Sequence, residues 1–426
     1  MLKAFLNSFR VPDLRNKILF TLFIIVIFRL GNHVPVPVVD TSVLENQAHG
    51  GFLDLLSLFS GGGIGHFSVF SLGIMPYITS SIIIQLMTVV IPKLAQWQDQ
   101  GEAGTKKINQ TTRYVTVALA FLQSAGLVFL FHNGASQNIP DLFASHPGSF
   151  KPTNVLLIVL TMTAGTALIM WLGELITQRG VGNGMSILIF TAVISRLPFE
   201  GSAILRSGGP GKFVVVLLIG IAIIVAVVYM DQGQRRIPIQ YAKRVVGRKQ
   251  TMGGSTYLPL KVNQAGVIPI IFANSILYFP VLLASVIHAQ WFQDFVNRYI
   301  SNTANWVYMA LLAGLIVFFS YFYTAIQFDP VRTADNLRKN GGFVPGIRPG
   351  PPTADYLNAI LVRITLPGSL FLAAIALIPT IVLAYWHIDQ FPFGGTSILI
   401  AVGVALETMK QIESQLMMRH YEGFLS

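Results

Sequence analysis

Two glycine-rich strings come closest to a phosphate-binding motif. In "SGGGIGHF" (60–67), the final glycine of the dinucleotide fingerprint G-x-G-x-x-G falls on His66, and no strand–helix–strand pattern surrounds it. In "SGGPGKF" (207–213), the first glycine of a P-loop would fall on Arg206, and Phe213 follows the lysine in place of Ser or Thr. Neither string predicts a nucleotide site.

The titratable residues form no catalytic or metal-binding pattern. The eight histidines show no H-E-x-x-H or paired spacing, and the chain has no cysteine. Glu174 and Glu407 lie near the ends of apolar stretches, so no central carboxylate indicates a proton or sodium relay. Arg29 is set among apolar residues, and we interpret it as a snorkelling or internally paired side chain. We therefore expect no enzyme, no cofactor and no metal.

The elements that hold these residues are predicted to be membrane-spanning helices. The chain has 426 residues and is 53% hydrophobic but only 11% charged, whereas a soluble domain carries about a quarter charged residues. A span needs about 20 mostly apolar residues. The second and seventh candidate windows contain internal proline (Pro76; Pro269 and Pro280), which lipid tolerates only where neighbouring protein binds the freed backbone groups. Ten windows qualify: 17–34, 70–92, 113–131, 154–175, 184–198, 213–230, 266–286, 306–326, 361–385 and 395–412.

The distribution of Lys and Arg predicts the orientation of these spans. With the N-terminus in the cytoplasm, 23 of the 29 Lys and Arg residues fall in inner segments and five in outer loops, as the positive-inside rule requires. The outer loop at 199–212 fits poorly, because it carries Arg206 and Lys212. The first 17 residues lack a small-residue cleavage site, so we expect no removable signal peptide. Five spans in each half (1–200 and 201–426) predict inverted halves with a functional site between them near the midplane.

Six longer strings are distinctive. They are "FSGGGIGHFSVFSLGIMPYITSSIIIQL" (59–86), "WLGELITQRGVGNGMSI" (171–187), "RRIPIQYAKR" (235–244), "LPLKVNQAGVIP" (258–269), "ADNLRKNGGFVPGIRPG" (334–350) and "FGGTSILI" (393–400). Through them the chain resembles the SecY family, the channel subunit of the Sec protein translocase, over nearly its whole length. The resemblance implies an all-α polytopic membrane protein with ten transmembrane helices in two inverted pseudosymmetric five-helix halves around a central pore. It also implies the plasma membrane of a bacterium, with both termini cytoplasmic.

The resemblance implies a constriction and a plug. The plug would occupy about residues 52–67, where glycines loosen a segment too short to span the bilayer. Its hinge would comprise Gly61, Gly62, Gly63, Ile64, Gly65, His66 and Phe67. The family usually has isoleucine where this chain has Met185, which keeps the site apolar but is more flexible. By motif position the ring of pore-lining side chains is Ile74, Ile78, Met185, Ile189, Ile271 and Ile400.

A lateral gate to lipid is implied between the second and seventh spans. Its polar residues would be Thr79, Ser80, Gln85, Asn274 and Ser275, with Gln123 on the third span nearby. Contacts of this kind contribute only about 1 kcal/mol each, so a seam built from them could part for a hydrophobic signal helix. Ordinary interhelical hydrogen bonding would explain the same residues.

Two basic loops, 231–265 and 327–360, are candidates for partner docking, since basic surfaces attract acidic or RNA-bearing partners. Orientation charge on solvated loops is an equal alternative. Alternation in "RRIPIQYAK" (235–243) also predicts a short hairpin. The docking candidates are Arg235, Arg236, Lys243, Arg244, Arg248 and Arg348.

The resemblance implies partners that include the SecE and SecG subunits, the SecA motor ATPase, and the ribosome with its rRNA. Signal peptides, nascent chains and the lipid bilayer would contact the channel, and YidC and SecDF are further partners. Energy would come from the motor, the ribosome and the proton-motive force. Two other classes stay open: a secondary transporter of a small solute with inverted repeats, and an intramembrane enzyme or a YidC-like insertase without a pore. A transporter predicts a polar site at the midplane, whereas this chain has glycine, proline and aliphatic residues at its helix breaks.

Overall fold

The computed structural model of the chain describes residues 11–39, 60–133, 150–241, 244–246, 249–251, 254–286, 289–300, 305–386 and 395–422. The helices of the N-terminal half are α1 (Pro12–Gly31), α2 (Met75–Val90), α3 (Pro92–Asp99), α4 (Glu102–Asn133) and α5 (Pro152–Arg179), and α6 (Gly184–Gln232) continues into the C-terminal half. Helices α2 and α3 meet at a bend of 99°.

The C-terminal half combines long helices with a small sheet. Its strands are β1 (Gln234–Tyr241), β2 (Arg244–Val246), β3 (Lys249–Thr251), β4 (Ser255–Lys261) and β5 (Gly342–Phe343). Its helices are α7 (Ile268–Val286), α8 (Gln290–Tyr299), α9 (Trp306–Gln327), α10 (Pro330–Lys339), α11 (Pro351–Trp386) and α12 (Gly395–Glu422).

Local sequence explains where many helices begin. Proline occupies the first turn of α1, α2, α3, α5 and α10, a position where its missing N–H costs no hydrogen bond. The Asn183 side chain caps α6 by accepting from the backbone N–H of Met185 at 3.1 Å. Asp329 likewise accepts from Val331 N–H at the start of α10, at 2.9 Å.

Each of the ten predicted windows falls on helix, but the structure corrects two details. Pro76 and Pro269 stand in the first turns of α2 and α7, so of the three prolines named for the second and seventh windows only Pro280 lies in the interior of its helix. The predicted loop at 199–212 is helical except for a break at Gly209, whose φ of 72° and ψ of 171° are non-helical. Glycine tolerates that conformation, and Pro210 follows it directly.

Five helices among the described residues are long and apolar enough to cross a membrane, or six if α2 and α3 form one bent span. The segments Gly184–Pro198 and Ile268–Val281 are apolar but shorter. Shorter apolar helices still satisfy their backbone groups internally, which is the condition that lipid imposes.

The sheet confirms the predicted hairpin. Strand β1 pairs antiparallel with β4, with Ile237 opposite Leu258, and β5 pairs with the end of β1. A second hairpin, β2–β3, lies within the connection. The buried face of the sheet packs on α11, where Ile237, Leu260 and Leu357 share one hydrophobic cluster.

Two large hydrophobic clusters form the interior of the helical body. The first unites buried residues of α1, α2, α4, α5 and the start of α6 with a few from α7, α9 and α12. The second belongs to the C-terminal half and joins α6, α7, α9, α11 and α12. The two halves therefore meet where α7 and α12 enter the first cluster.

Candidate functional site: a central apolar constriction

The six residues predicted to line the pore are all buried in one large hydrophobic cluster. They lie at the start of α2, on the first turns of α6, on α7 and on α12, and all belong to the first hydrophobic cluster. The exposed fraction of each is 8% or less. Four segments from both halves thus contribute to this cluster, and in it Ile74 and Ile400 are completely buried.

Helical spacing explains how two segments each provide two residues. Ile74 and Ile78, and likewise Met185 and Ile189, are four positions apart, so each pair presents one helical face. The Ile74 carbonyl accepts the backbone N–H of Ile78 at 3.1 Å, which fixes the first pair at the entrance to α2.

Met185 has a specific seat on α5. A Cβ added to Gly173 would collide with the Met185 sulfur, and one added to Gly184 would collide with the Gly173 carbonyl oxygen. The two glycines therefore allow α5 and the start of α6 to approach closely. Met185 fills the space beside that contact, which suits a flexible thioether.

The described end of the predicted plug lies against this centre. Ile64 and Phe67 are 2% and 0% exposed and belong to the same cluster as the six ring residues. The Phe67 ring packs edge-on against Phe131 of α4, with 5.3 Å between centroids. The remainder of the predicted plug, 52–59, lies outside the described residues.

The glycine string is held by many backbone contacts, although its composition predicts a loose segment. Gly61 and Gly62 have φ of 65° and 88°, values that glycine adopts without strain. The Arg29 guanidinium donates to the Gly61 carbonyl at 3.1 Å, which confirms the internally paired interpretation of this arginine. Val36 N–H donates to the Phe67 carbonyl at 2.9 Å, so the residues after α1 strap this segment in place.

The predicted gate helices do contact each other. Helix α7 packs against both α2 and α4. However, the hydroxyls donate within their own helices: Thr79 to the Met75 carbonyl at 2.9 Å, Ser80 to the Pro76 carbonyl at 2.7 Å and Ser275 to the Ile271 carbonyl at 2.8 Å. Gln85 is half-buried, and its carbonyl accepts the Thr88 hydroxyl at 2.6 Å.

Two buried amides at this junction have no hydrogen-bond partner among the described residues. Both side-chain polar atoms of Gln123 on α4 are unpaired, and so is the Asn274 Nδ2 on α7, although the residues are only 3% and 5% exposed. Buried unpaired polar groups are costly. The unpaired atoms therefore lower the stability of the folded chain at these two positions.

The docking candidates are only partly described. Arg235 and Arg236 are exposed on β1, and Arg348 is exposed in the turn before α11. The Arg348 carbonyl accepts the Thr353 hydroxyl at 2.9 Å, which ties the turn to the first residues of α11. Arg244 stands on β2, while Lys243 and Arg248 lie outside the described residues.

Three ion pairs among the described residues were not predicted from the sequence, because the two residues of each pair are far apart in the chain. Arg113 on α4 binds Glu174 on α5 at 2.5 Å, and Lys410 on α12 binds Asp231 on α6 at 2.7 Å. The third pair, Arg332 on α10 with Asp99 on α3 at 2.5 Å, joins the C-terminal half to the extension of α2. No local pattern in the sequence signals such contacts.

The structure offers no candidate metal centre within its described ranges, where no three His, Cys, Asp or Glu residues cluster. Charged groups meet there in ion pairs such as those above. The six predicted ring residues instead share a buried hydrophobic cluster.

Comparison with known proteins gives consistent relationships. Residues 68–409 match the SecY family model. The chain is 50% identical to the protein translocase subunit SecY of Mycobacterium tuberculosis over 442 residues, and 52% identical to that of Streptomyces coelicolor over 443, with all of both chains covered each time. A solved structure of a protein conducting channel is similar with a TM-score of 0.65 and 16% identity, covering 94% of this chain and 92% of the other. Sec61 in a canine ribosome–channel complex gives a TM-score of 0.62 with 16% identity, covering 94% and 92%. The chain therefore belongs to the SecY family and is an all-α polytopic membrane protein.

Proposed function

We propose that this chain is the protein-conducting channel subunit of a Sec translocase. It passes unfolded secretory proteins across the plasma membrane of a bacterium and releases membrane-protein helices sideways into lipid. The observation that carries the proposal is the meeting of six aliphatic ring residues from both halves in one buried cluster with Ile64 and Phe67. The proposal is further supported by its full-length relatives, which are named protein translocase subunits.

An aliphatic ring suits a pore that must pass chains of every composition. Such a ring offers no hydrogen bond that would retain a substrate, and a narrow hydrophobic constriction resists ion flow by dewetting. In the resting state the plug, about residues 52–67, blocks the pore, and Ile64 and Phe67 pack against the ring. An entering chain displaces this segment, while the ring side chains close around the chain.

The lateral gate opens between α2 and α7. The hydroxyls of Thr79, Ser80 and Ser275 are bound within their own helices, so separating the helices breaks none of those bonds. The unpaired amides of Gln123 and Asn274 add little to closure. A hydrophobic signal helix replaces the apolar contacts of the seam, and the gate parts at small cost.

The chain itself performs no catalysis, and the energy comes from partners. The basic surface around Arg235, Arg236 and Arg348 docks the SecA motor or the ribosome, with Lys243, Arg244 and Arg248 contributing from the same loops. SecE and SecG complete the complex, YidC and SecDF act beside it, and the proton-motive force assists transport. Both termini lie in the cytoplasm, and the halves divide near residue 200 within α6.

The ring is tested by replacing Ile271 with a polar residue of similar size. We expect Ile271→Asn to raise resting ion conductance in vesicles that contain the purified translocase, because a polar ring retains water. The matched control is Ile276→Asn on the same helix, where the native side chain is 39% exposed. That variant leaves the conductance unchanged.

An unchanged conductance in a folded Ile271→Asn protein contradicts the constriction. The secondary-transporter alternative gives a different result in the same vesicles. It predicts uptake of a small solute and no import of a preprotein when the motor ATPase and ATP are added. Import of a preprotein in native vesicles, with a leak that depends on Ile271, distinguishes the channel.

Docking is tested by charge reversal at Arg348. We expect Arg348→Glu to slow import driven by the motor or by the ribosome, because the exposed guanidinium attracts an acidic partner. Lys106→Glu is the matched control, since Lys106 is an exposed cation on α4 outside the two basic loops. Binding of the motor is measured alongside import. Normal binding and import by Arg348→Glu would exclude the docking role.

A further inference from the structure

The short helix α8 connects α7 to α9 and cannot itself cross a bilayer. Its 10 residues give a length of about 15 Å, half of the roughly 30 Å hydrocarbon thickness. It also carries Gln290, Gln293, Asp294, Asn297 and Arg298. The sheet precedes α7 in the chain, so α8 lies at the end of α7 that is remote from the sheet.

The connections place α8 at the edge of the bilayer. Residues 287–289 separate it from α7, and residues 300–305 separate it from α9. Segments of three and six residues reach at most about 10 and 20 Å. Helix α9 begins one of the apolar spans, so α8 must stay close to the level at which that span leaves the lipid.

One part of the apolar side of α8 packs on the protein. Val296 and Ile300 form a small cluster with Val281 and Ala284 of α7, and Val296 is completely buried. The Gln293 side chain donates to the Ala284 carbonyl at 3.2 Å. That carbonyl is in the last turn of α7, where no intrahelical donor is available.

The other part of the apolar side is left exposed. Trp291 and Phe295, four residues apart on one face, are 74% and 48% exposed. Arg298 is close to Trp291 on a helical wheel, and its guanidinium stands 6.0 Å from the Tyr299 ring centroid. An exposed tryptophan and a cation on the same side of a helix are typical of helices at the membrane interface. There, aromatic rings lie at the level of the headgroups and cations contact lipid phosphates.

The neighbouring surface of α9 is also suited to lipid. The Asn305 side chain donates to the Arg298 carbonyl at 2.8 Å, which links α8 to the first turn of α9. An open groove of about 410 Å³ begins there, lined by Trp306, Val307, Ala310, Leu311, Gly314 and Leu315. Trp306 is 76% exposed. The exposed apolar surface therefore continues from α8 along α9.

We propose that α8 is an in-plane membrane anchor, which embeds Trp291 and Phe295 in the lipid interface and holds the adjoining end of α7 at a fixed depth. The occupant of its exposed face is the bilayer, because the connections hold α8 at the level of the interface and the face combines aromatic rings with a cation. The inference goes beyond the channel function, because it concerns how α7 is held in the bilayer and not how a substrate passes.

Fluorescence quenching tests the embedding without any transport assay. The full-length chain is reconstituted in phosphatidylglycerol and phosphatidylcholine vesicles, with bromine on the phosphatidylcholine chains either near the headgroup or near the bilayer centre. The fluorescence of Trp291 is obtained by subtracting the fluorescence of the Trp291→Phe variant from that of the native chain. We expect this fluorescence to be quenched more by the shallow bromines than by the deep ones, and to be shielded from aqueous iodide.

Two outcomes overturn the proposal. Quenching by iodide without quenching by brominated lipid places α8 in water. Protection from both quenchers means that protein, such as a second copy of the chain, covers the face.

The depth of α7 provides a second readout. The chain has no cysteine, so Ile276→Cys accepts a unique spin label on the exposed side of α7. We expect the double variant Trp291→Gln with Phe295→Gln to shift the label's depth, measured from its collisions with oxygen and a polar nickel reagent. The matched control Tyr257→Gln, at an exposed aromatic position on β4, leaves the depth unchanged. An unshifted label in the double variant also overturns the anchor.

Discussion

At the scale of single residues, backbones approach each other closely around the segments that carry the proposed ring residues. Gly165 on α5 lies where a Cβ would collide with the Val69 carbonyl oxygen, and Gly184 lies where one would collide with the Gly173 carbonyl. Carbonyl oxygens cannot move aside as a side-chain tip can. The segment between the glycine string and α2 can therefore pack directly against α5, because Gly165 has no side chain there.

Replacing Gly165 tests that packing. We expect Gly165→Ala to lower the free energy of unfolding by about 1–3 kcal/mol, the usual cost of overpacking. It should also raise the resting ion leak, because the displaced segment supports Ile74. Gly314→Ala on α9 is the matched control, since nothing lies within 4 Å of a Cβ there, and it should be neutral or slightly stabilising. Thermal unfolding of the purified proteins gives the comparison, and equal unfolding midpoints would contradict that packing.

At the scale of elements, few polar side chains bond across the proposed gate between α2 and α7 or to the neighbouring α4 among the hydrogen bonds of the described residues. Serine and threonine hydroxyls bind within their own helices, which removes them from the seam. Both amide atoms of buried Gln123, and the Nδ2 of buried Asn274, have no hydrogen-bond partner among the described residues. A closed junction that leaves amides unpaired has a smaller energetic advantage over an open one, as a gate requires.

Apolar replacement of these amides should make the gate harder to open. We expect Gln123→Leu and Asn274→Leu each to stabilise the closed protein by about 1–3 kcal/mol, the cost of an unpaired buried polar group. Import of preproteins with weakened signal sequences should fall, while a strongly hydrophobic signal still opens the gate. Gln110→Leu, at an exposed position of α4, serves as the control. Improved import of weak signals by Gln123→Leu would refute this account of the seam.

At the scale of the whole molecule, the ion pair between Asp99 and Arg332 spans the two halves. Asp99 ends α3, which continues from α2 through the 99° bend, whereas Arg332 lies on α10 in the second basic loop. Both side chains are more than half exposed, at 61% and 64%. An exposed pair is weak and sensitive to salt, so a partner that binds Arg332 can compete with Asp99 and release α2.

Breaking this pair should widen the gap between α2 and α7 at low salt. Spin labels at Met87→Cys and Ile276→Cys report the distance in a chain without native cysteine. We expect Asp99→Asn to increase the fraction of molecules in which the two spin labels are far apart. The charge swap Asp99→Arg with Arg332→Asp should restore the shorter distance between the labels. High salt should remove the difference. The control Asp335→Asn breaks an ion pair within α10 alone, and an equal change in that variant would rule out a link between the halves.

Much of the fold was predictable from local patterns. A stretch of apolar residues long enough for the bilayer must be helical, because lipid offers no partner for free backbone groups, and all ten windows fall on helix. The alternation of apolar and polar residues in 235–243 predicted strand β1, because side chains of a strand point alternately to its two faces. The break between the fifth and sixth windows was predicted too long, since the helix extends to Gly209 and only that glycine interrupts it.

The sequence by itself determined the membrane class, the helical character of the apolar windows and the family, because each of these depends on local composition or on a contiguous motif; the identity of the ring residues stays a prediction. Tertiary structure alone decided that Arg29 holds the Gly61 carbonyl, that Gly165 seats the glycine-rich segment and that Asp99 meets Arg332. These contacts join residues 32, 96 and 233 positions apart, counting Val69 as the partner of Gly165. The packing of the helices decides which residues far apart in the chain come into contact, and no local sequence pattern specifies these contacts.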